Sequence, residues 1–488
     1  MVRVFVKWGK ERLEIDANPS DSPLQMKSQL FSLTGVNPER QKVLIKGKIL
    51  GDICWDGCEL QDGMTVMMVG SGGTVPAPPP PPDSHIEQTN TEIEAETSHA
   101  MDLPAGLKNL GNTCYLNATL QYFKVIPELR EALNKYSESV RVVTNSLDHS
   151  SGAKAITAAV RDLYQMMDNQ KSKSYRNVIP LIMLQVVHNV FPQFAIRDEH
   201  GWMQQDANEC WTEFVRAFQT QLKVTDSSVS GNQSDSVVSR YMEGIFKIEM
   251  KNLESDIEPV STTKEAFLQL SCFLNQEVKY VQLGIKSKLT EEITKNSCVL
   301  GRDARYEKKA LIDRLPAYLS IQMVRFFYKE KDKVNAKILK DVKFPLILDL
   351  YEMCTSELQQ KLLPARDAFK EEEDKNIEVL RASKTLDGAT GISESSKNEE
   401  NKEIVPYSFS DDPGSNNSGY YELQGVITHK GRSSNSGHYV AWVHLKNDHW
   451  AMCDDDEAFS SEDILKLSGG GDWHCAYVLL YGPRILKR

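Results

Sequence analysis

A proline tract splits this chain into two parts that must fold separately. Six of the residues between positions 76 and 82 are proline, in the run V-P-A-P-P-P-P-P-D. Proline lacks a backbone N–H and fixes φ, so neither a helix nor an inner strand can pass through this run. The tract favours extended polyproline II structure, and acidic polar sequence follows it. We predict a flexible linker over 71–102, either a plain spacer or a ligand for a proline-binding partner, between folded units at 1–70 and 103–485.

Composition limits the class of protein. The 488 residues carry a formal net charge of −11 and include 26% charged and 40% hydrophobic residues. Such a chain is typical of soluble globular proteins, and its acidic balance argues against nucleic-acid binding while permitting basic partners. The N-terminus lacks the apolar core of a signal peptide, and no segment is apolar enough for a membrane span. The nine scattered cysteines therefore indicate free thiols in the cytoplasm, with the nucleus left open.

The first unit shows a β-grasp pattern. Alternating valines at 2, 4 and 6 predict a half-buried strand, and Leu13 and Ile15 predict its hairpin partner. A helix is expected to begin after Ser22, which is followed by a first-turn proline, and to stop at Gly35. Short strands are expected at 42–46 and 65–69.

This segment resembles ubiquitin along its whole length, in P-S-D-S, Q-K-V-L-I-K-G-K-I-L and V-G-S-G-G. The resemblance implies a docking module, although a small domain with no role beyond folding is the alternative. Leu44 and Val69 match the positions of ubiquitin's recognition patch and are the predicted docking residues. Lys42, Lys46 and Lys48 would surround that patch.

The second unit mixes helical and strand patterns, which gives an α+β fold class for the chain. Apolar residues recur at helical spacing after Cys114 and across Ala207–Phe218, and strand patterns dominate from about 244 onward. Residues 365–405 are charged with few large apolar groups, so we predict a disordered or loosely helical insert there.

Cys114, in G-N-T-C-Y-L-N, is a candidate nucleophile. It stands at a predicted helix start, where backbone N–H groups and the helix dipole favour a thiolate. The absence of C-x-x-C pairs argues against a zinc ligand, although an inert buried cysteine remains the alternative.

A base and an orienting acid can be predicted from one hairpin. His438 begins the strand S-G-H-Y-V-A-W-V, and H-W-A-M-C-D-D is its expected partner across a turn at 446–448. This pairing places Asp454 directly opposite His438, and a slip by one residue would substitute Asp455. Asn109, five residues before the cysteine, could donate to a tetrahedral oxyanion. Each residue alone has a structural alternative: a packed histidine, or a solvated or calcium-binding aspartate turn.

Three boxes together resemble the ubiquitin-specific proteases. They are G-L-K-N-L-G-N-T-C-Y-L-N-A-T-L-Q, Q-Q-D-A-N-E and S-G-H-Y-V-A-W-V with W-A-M-C-D-D-D, and the likeness covers about residues 104–483. It implies a papain-like catalytic domain with fingers, palm and thumb. In that domain Cys114 would be nucleophile, His438 general base, Asp454 its orienting residue and Asn109 the oxyanion donor.

The resemblance also implies substrate-binding residues and a partner. Gln204, Asp206 and Glu209 would grip the ubiquitin tail, although Asp206 could instead complement a helix N-terminus. Tyr439 would line the glycine channel or pack as a strand aromatic. A ubiquitin-like domain in front matches the proteasome-associated member of this family, which implies docking to the 26S proteasome regulatory particle and a monomer when free.

Two departures from the family pattern bear on the prediction. Cys453 stands where the family has an aromatic residue, and the fingers hold only Cys272 and Cys298, so neither zinc nor another cofactor is expected. The resemblance further implies that polar segments after the strand at 320–327 and before His438 cover the cleft in the free protein. A non-catalytic ubiquitin-binding regulator and a protease for another modifier are the competing interpretations.

Overall fold

The chain folds into two units, which are described separately. The structure, a computed structural model, describes residues 2–8, 11–17, 22–34, 36, 41–45, 48–50, 55, 60, 62–69, 103–139, 149–169, 177–199, 201–224, 236–329, 334–386, 403–433, 436–445, 449–461, 464–469 and 473–488. The units are Met1–Ser98 and His99–Arg488. The predicted linker at 71–102, Lys46 and the turn at 446–448 lie outside the described residues.

The first unit is a sheet of five strands with one helix. In chain order these elements are β1 Val2–Trp8, β2 Glu11–Ala17, α1 Pro23–Thr34, β3 Lys42–Ile45, β4 Lys48–Ile49 and β5 Met64–Val69. The strand order β2-β1-β5-β3-β4, with β1 and β5 parallel at the centre, is the predicted β-grasp arrangement. Met26 and Leu30 of α1 are buried in the core of this unit.

The outer face of that sheet carries the predicted docking residues. Leu44 of β3 pairs with Met67 of β5 and is half-buried, and Val69 pairs with Lys42. Met67 and Val69 are 52% and 54% exposed, whereas the alternate residues Val66 and Met68 are buried. The alternation of strand side chains therefore gives one face to the core and leaves Leu44, Met67 and Val69 on the other.

Helices make up most of the N-terminal part of the second unit. The helices of the whole unit are α2 Cys114–Lys124, α3 Pro127–Lys135, α4 His149–Asn169, α5 Leu181–Val190, α6 Ala207–Gln221, α7 Val237–Tyr241, α8 Val281–Lys286 and α9 Ser356–Leu386. Residues 114–123 of α2 are all buried, so this helix runs through the core rather than along its surface.

Strands make up most of the remainder, and four two-residue strands lie among the N-terminal helices. They are β6 Gly106–Leu107, β7 Asn177–Val178, β8 Arg197–Asp198, β9 Gly201–Trp202, β10 Gly244–Asn252, β11 Ser261–Phe267, β12 Gln269–Phe273, β13 Thr290–Ser297, β14 Arg302–Arg314, β15 Leu319–Val324, β16 Phe326–Lys329, β17 Val334–Lys337, β18 Ile347–Asp349, β19 Tyr420–Ser433, β20 Ser436–His444, β21 Trp450–Asp454, β22 Glu457–Ser461 and β23 Cys475–Pro483. A four-stranded sheet, β11-β10-β14-β13, is separate from a ten-stranded sheet whose main path is β12-β15-β23-β19-β20-β21-β22. Helix α2 packs on β20, which brings the helix start beside one end of the large sheet.

For the predicted disordered or loosely helical insert at 365–405, the structure favours the helical alternative in the first part. Residues 365–386 belong to the 31-residue helix α9, and residues 387–402 lie outside the described residues. Arg366 forms a bidentate ion pair with Asp349, at 2.9 and 2.7 Å, and the ring of Phe369 packs edge-on against Tyr420. One anchored face is enough to hold this helix, while its many charged residues face solvent. None of the described helices combines the length and apolarity that crossing a membrane requires.

Candidate active site

Cys114 occupies the first position of a buried helix. The chain reaches it through Gly111 and Asn112, whose φ angles are 99° and 52°, so the turn before the helix uses the left-handed region. The Cys114 side chain is 2% exposed, and its Sγ accepts hydrogen bonds from the Tyr439 backbone N–H at 3.4 Å and from Gln204 Nε2 at 3.2 Å. Both donors, with the helix dipole, stabilise negative charge on sulfur.

His438 and Asp454 meet, but not in the predicted register. The β20–β21 ladder pairs Ala441 with Cys453 and His444 with Trp450, so Asp454 lies opposite Val440 in this register rather than opposite His438. The directly opposed pair predicted from the sequence is therefore wrong by two residues. A shift of two keeps the same face, because side chains alternate with period two. His438 Nε2 consequently reaches Asp454 Oδ1 diagonally, at 2.5 Å.

The charges at this site favour an ion pair. The pKa of His438 is raised to about 10, chiefly by its hydrogen bond to Asp454 and also by Cys114. The same contact lowers the pKa of the Asp454 carboxyl. A protonated imidazole next to the thiol favours the thiolate, which is the nucleophilic form of cysteine.

The amide of Asn109 is used by Asp455. Asn109 Nδ2 donates to Asp455 Oδ2 at 2.8 Å, and Asn117 Nδ2 donates to Asp455 Oδ1 at 2.8 Å. Asn109 Oδ1 accepts hydrogen bonds from the backbone N–H groups of Gly111 and Thr113, at 2.9 and 3.3 Å. Asn109 therefore closes the turn before Cys114 and binds the residue after Asp454.

Asp455 and Asn117 are site residues that sequence reasoning missed in these roles. The Asp455 side chain is only 11% exposed and lies 4.0 Å from His438 Nε2, and burial raises its pKa. Asn117 stands one helical turn after Cys114 and is itself buried. That spacing was the available signal, because residues three apart share a helix face.

Three residues of the Q-Q-D-A-N-E box make different contacts. Gln204 lies against the thiol and donates to Gly437 O at 3.3 Å. Asp206 caps α6 by accepting from Asn208 N at 2.7 Å and Glu209 N at 3.2 Å. Both of its carboxylate oxygens also accept the Tyr477 hydroxyl, at 2.9 and 2.7 Å. The geometry thus favours the helix-cap alternative for Asp206 and leaves Glu209 as the exposed carboxylate.

Tyr439 contributes its backbone rather than its ring to the site. The side chain is 1% exposed, and the ring packs 4.7 Å from that of His429 and 6.0 Å from that of Tyr477. These contacts favour the packing alternative over a channel-lining role.

The cysteines that depart from the family pattern are free thiols. Cys453 is buried opposite Ala441, and Cys272 is buried in β12, whereas Cys298 is exposed. Within the described residues, the one group with three metal-ligating atoms close together is His438, Asp454 and Asp455. Those three side chains already bind one another or the two asparagines, so this group coincides with the candidate catalytic site.

The two segments expected to cover the cleft are tied to each other. The β16–β17 hairpin joins β19 through the pair Ala336–Ser433. Lys337, which is 6% exposed, donates through Nζ to the carbonyl oxygens of His429 and Gly431, at 2.7 and 3.0 Å. His429 is fully buried, and its pKa is lowered to about 3 by burial and by the charge of Lys337, which keeps the imidazole neutral.

Similarity to known proteins extends over both units. Residues 105–481 match the family described as ubiquitin carboxyl-terminal hydrolase, and residues 4–72 match the ubiquitin family. The chain is 41% identical to ubiquitin carboxyl-terminal hydrolase 14 of Caenorhabditis elegans, over 99% of this chain and 94% of that protein. It is 37% identical to ubiquitin carboxyl-terminal hydrolase 6 of Arabidopsis thaliana over the full length of both. It is 35% identical to ubiquitin carboxyl-terminal hydrolase 6 of Schizosaccharomyces pombe, over 99% and 98% of the two chains.

A solved structure supports the fold independently. The DUB module of SAGA bound to ubiquitin aldehyde superposes with a TM-score of 0.51 at 18% sequence identity, covering 81% of this chain and 76% of that one. At this identity the likeness concerns the fold alone. With the family matches, it confirms the predicted fold class of the two units.

Proposed function

Because this chain belongs to the ubiquitin carboxyl-terminal hydrolase family, we propose that it is a thiol protease that cleaves the isopeptide bond after ubiquitin's C-terminal glycine. The observation that carries the proposal is the meeting of three residues from distant parts of the chain. Cys114 begins a buried helix, the backbone N–H of Tyr439 next to His438 donates to its Sγ at 3.4 Å, and Asp454 Oδ1 lies 2.5 Å from His438 Nε2. A non-catalytic regulator has no need of this arrangement.

The geometry supports a two-step acyl transfer. The Cys114 thiolate attacks the carbonyl carbon of the terminal glycine, and a C–S bond forms as the carbonyl π electrons move onto oxygen. Collapse of that intermediate breaks the C–N bond, and the amine leaves with the proton carried by His438. His438 then takes a proton from a water molecule while the water oxygen attacks the thioester carbon. The C–S bond breaks, which releases ubiquitin with a free C-terminal carboxylate and restores Cys114. Asp454 keeps the imidazole oriented throughout.

The tail of ubiquitin, which carries arginines, is the expected ligand of the exposed carboxylate beside the site. Glu209 lies at the start of α6, and its pKa is raised by partial burial and by the carboxylates of Asp206 and Glu213. A carboxylate with acidic neighbours creates a negative potential that favours a cationic peptide. Gln204 and Glu209 are thus the residues of the box that we assign to the bound tail.

The first unit provides the docking surface in this proposal. Met67 and Val69 expose apolar side chains beside half-buried Leu44 on one sheet face. Its match to the ubiquitin family supports binding to a receptor that recognises ubiquitin-like domains. We assign that receptor to the 26S proteasome regulatory particle, so that ubiquitin would be released from proteasome-bound conjugates.

The hairpins beside the site are proposed to inhibit the free enzyme. Gln204 Nε2 binds Gly437 O, and the Phe326 ring packs 5.2 Å from those of both His429 and Tyr477. These contacts hold β16 against β19 and β23, and the start of β20 against Gln204, which we assign to the bound tail. Proteasome binding would shift the equilibrium towards an open state.

A ubiquitin that carries a C-terminal vinyl sulfone tests the proposal. The full chain and Cys114→Ala are incubated with this probe, alone and with proteasomes whose own thiol hydrolases have been blocked. An adduct that requires Cys114 and forms faster with proteasomes supports both protease and gating. An adduct without stimulation removes the gating, and no adduct under either condition favours a non-catalytic ubiquitin-binding regulator. Deleting residues 1–75 should abolish the stimulation and leave the basal adduct.

A further inference from the structure

The turn before the nucleophile has an unusual backbone. Asn112, two residues before Cys114, has a φ angle of 52°, and among the described residues Asp455 is the other non-glycine residue with a positive φ. Asparagine tolerates this left-handed region better than most residues do. The conformation of Asn112 sets the direction in which the chain enters α2, and with it the position of the thiol.

The Asn112 side chain binds a segment 90 residues further along the chain. Its Nδ2 donates to the backbone carbonyl oxygen of Trp202 at 2.7 Å. A carbonyl oxygen only accepts hydrogen bonds, so the nitrogen of the amide is the atom that faces Trp202. The indole of Trp202 also lies next to Gly111, where an added β-carbon would be 3.8 Å from Cδ1. Trp202 thus borders the turn through its backbone and through its side chain.

Trp202 is itself held by two neighbouring side chains. The Arg197 guanidinium carbon lies 3.6 Å from the centroid of the indole ring, and the centroids of the His188 and Trp202 rings are 4.1 Å apart. A guanidinium over an indole is a cation–π interaction, which is strongest with tryptophan. Arg197 and Trp202 are also partners in the β8–β9 ladder. The ladder and the ring contacts together fix the position of the carbonyl that Asn112 binds.

The oxyanion donor expected from the sequence belongs to the same turn. Asn109 Oδ1 accepts hydrogen bonds from the backbone N–H groups of Gly111 and Thr113, at 2.9 and 3.3 Å. Asn112 lies between those two residues, so its displacement would move the Asn109 amide together with Cys114. A bond made by Asn112 consequently acts on both groups that the reaction needs at this turn.

The segment that follows Trp202 is the one assigned to the ubiquitin tail. Gln204 stands two residues further on, and its Nε2 lies 3.2 Å from Cys114 Sγ. Asp206 then caps α6. The nucleophile turn and the tail-binding residue Gln204 are therefore both attached to one short stretch of backbone.

We propose that Asn112 and Trp202 are positioning residues, and that their hydrogen bond holds the turn so that Cys114 is aligned with the bound ubiquitin tail. This inference rests on the proposed hydrolase function. Neither residue forms or breaks a bond with the substrate, and both act through Cys114. Misplacement of a reacting group by about 1 Å can cost about 100-fold in rate. Loss of this bond should therefore slow the chemical step and spare ubiquitin binding.

Two substitutions of Asn112 test the anchor without imposing backbone strain. Asn112→Gly keeps the left-handed φ and removes the side chain, whereas Asn112→Asp keeps the shape and the tolerance of this region but cannot donate. Asn189→Asp makes the same change of charge at an exposed asparagine of α5 and is the matched control. Each full-length variant is assayed with a ubiquitin that carries a C-terminal aminocoumarin amide. Proteasomes whose own thiol hydrolases have been blocked are present, so that hairpin opening does not limit the rate, and Cys114→Ala is the blank.

The expected signature is a change in kcat without a change in KM. Both Asn112 variants should lower kcat about tenfold and change KM less than about twofold. Capture by ubiquitin vinyl sulfone should slow by a similar factor, since it needs the same position of the thiol. The urea midpoint should change little, which separates positioning from a general loss of structure. Asn189→Asp should behave like wild type in every assay.

Trp202→Ala provides the second arm of the experiment. Removal of the indole releases the β8–β9 hairpin from Arg197 and His188, so kcat should again fall about tenfold. Combining it with Asn112→Gly should add less than about twofold to the loss, because both changes remove one contact.

Four results would overturn the inference. Unchanged kcat in both Asn112 variants would do so, and a raised KM with unchanged kcat would place Asn112 on the tail. Losses that multiply in the double variant would show that Asn112 and Trp202 act separately. A lower urea midpoint with wild-type kcat would assign the bond to stability alone. A wild-type chain that neither hydrolyses the amide nor reacts with the vinyl sulfone would refute the hydrolase function itself, which is a distinct outcome.

Discussion

His438 binds Asp454 diagonally across the β20–β21 hairpin, with 2.5 Å between Nε2 and Oδ1, although the two residues are not opposed in the ladder. The ladder contacts end at Ala441 and Cys453, so both side chains project from the end of the hairpin. On its other edge β20 pairs with β19, where Lys430 is the cross-strand partner of His438. The His438–Asp454 contact depends on side chains alone, and it can be removed with the backbone intact.

Asp454→Asn should shift the alkaline limit of thiol reactivity to lower pH. The folded pKa of His438 is raised to about 10, and Asp454 is the main cause. The stabilisation from this pair is complete below the ordinary histidine pKa of about 6.5 and is lost as pH rises through about 10. Without the carboxylate the pKa falls, so the imidazolium is lost earlier. The rate of Cys114 alkylation by iodoacetate, whose carboxylate is attracted by the imidazolium charge, reports this limit when it is measured across pH.

Turnover provides the second readout of Asp454→Asn. We expect kcat to fall about 10²–10⁴-fold, since the imidazole loses its orienting acceptor. Asp456→Asn is the matched control, because it changes an exposed member of the same aspartate run. An unchanged alkylation profile in Asp454→Asn, or an equal shift in Asp456→Asn, would contradict the assignment.

Asp206→Ala should reduce stability more than substrate affinity. The variant loses an N-cap, which costs about 1 kcal/mol, and leaves the Tyr477 hydroxyl without its acceptor, which costs about 1–3 kcal/mol more. The urea midpoint of the full chain should therefore fall. Tyr477→Phe should cost less, because Asp206 still caps α6, and the double variant should cost less than the sum of the two. A raised KM with an unchanged midpoint would instead place Asp206 on the substrate.

The sequence separation between interacting residues decides how much of this site can be predicted from the sequence. Cys114 and His438 stand in short motifs whose chemistry is local, and a hairpin was enough to bring in Asp454. The acceptors of Asn109 and Tyr477 could not be predicted, because their partners lie 346 and 271 residues away. The register error has the same origin: the pattern of alternating side chains fixes the face of a strand, and a shift of two preserves that face.

The fold was predictable to a similar extent. The β-grasp unit follows from strand alternation and helix-capping signals within 70 residues, and its strand order agrees with that expectation. Within helix α9, residues 365–386 were predicted as either disordered or loosely helical, because their solvent-facing charges resemble a disordered composition. Its anchors, Asp349 and Tyr420, lie on strands outside the helix. The charged composition of this segment reflects its solvent-facing side, whereas contacts with the strands stabilise the helix.

Glu209→Gln should weaken binding of ubiquitin without reducing kcat. The exposed carboxylate is expected to pair with an arginine of the tail, and an exposed pair contributes up to about 1 kcal/mol, or roughly fivefold in affinity. KM should rise by that factor at low salt, and the difference from wild type should shrink as salt is added. Glu213→Gln, one turn further along α6, is the matched control. A loss of kcat at saturating substrate would mean that Glu209 serves the chemical step instead.

Lys337→Met should increase the basal rate of the free chain. The methionine retains an apolar stem of similar length but cannot donate to the carbonyl oxygens of His429 and Gly431. Loss of these contacts should favour the open hairpin by about 1 kcal/mol, which corresponds to a roughly fivefold higher basal rate. The proteasome-stimulated rate should be unchanged, because the hairpin is already open in that state. Lys343→Met, at an exposed position, is the control. Equal basal rates in wild type and Lys337→Met would argue against the hairpin as an inhibitory element.

Val69→Glu should remove proteasome stimulation and leave the basal activity of the free chain intact. Val69 is 54% exposed on the sheet face that also carries Met67 and Leu44, so a charge there disrupts an apolar docking surface without entering the core. We expect at least about tenfold weaker stimulation, measured as the proteasome concentration that gives half-maximal turnover. Leu24→Glu changes a residue of similar exposure, 47%, on helix α1, which packs on the opposite face of the sheet. If Leu24→Glu abolishes stimulation and Val69→Glu does not, the receptor binds the helix face, and the assignment of Leu44 and Val69 is wrong.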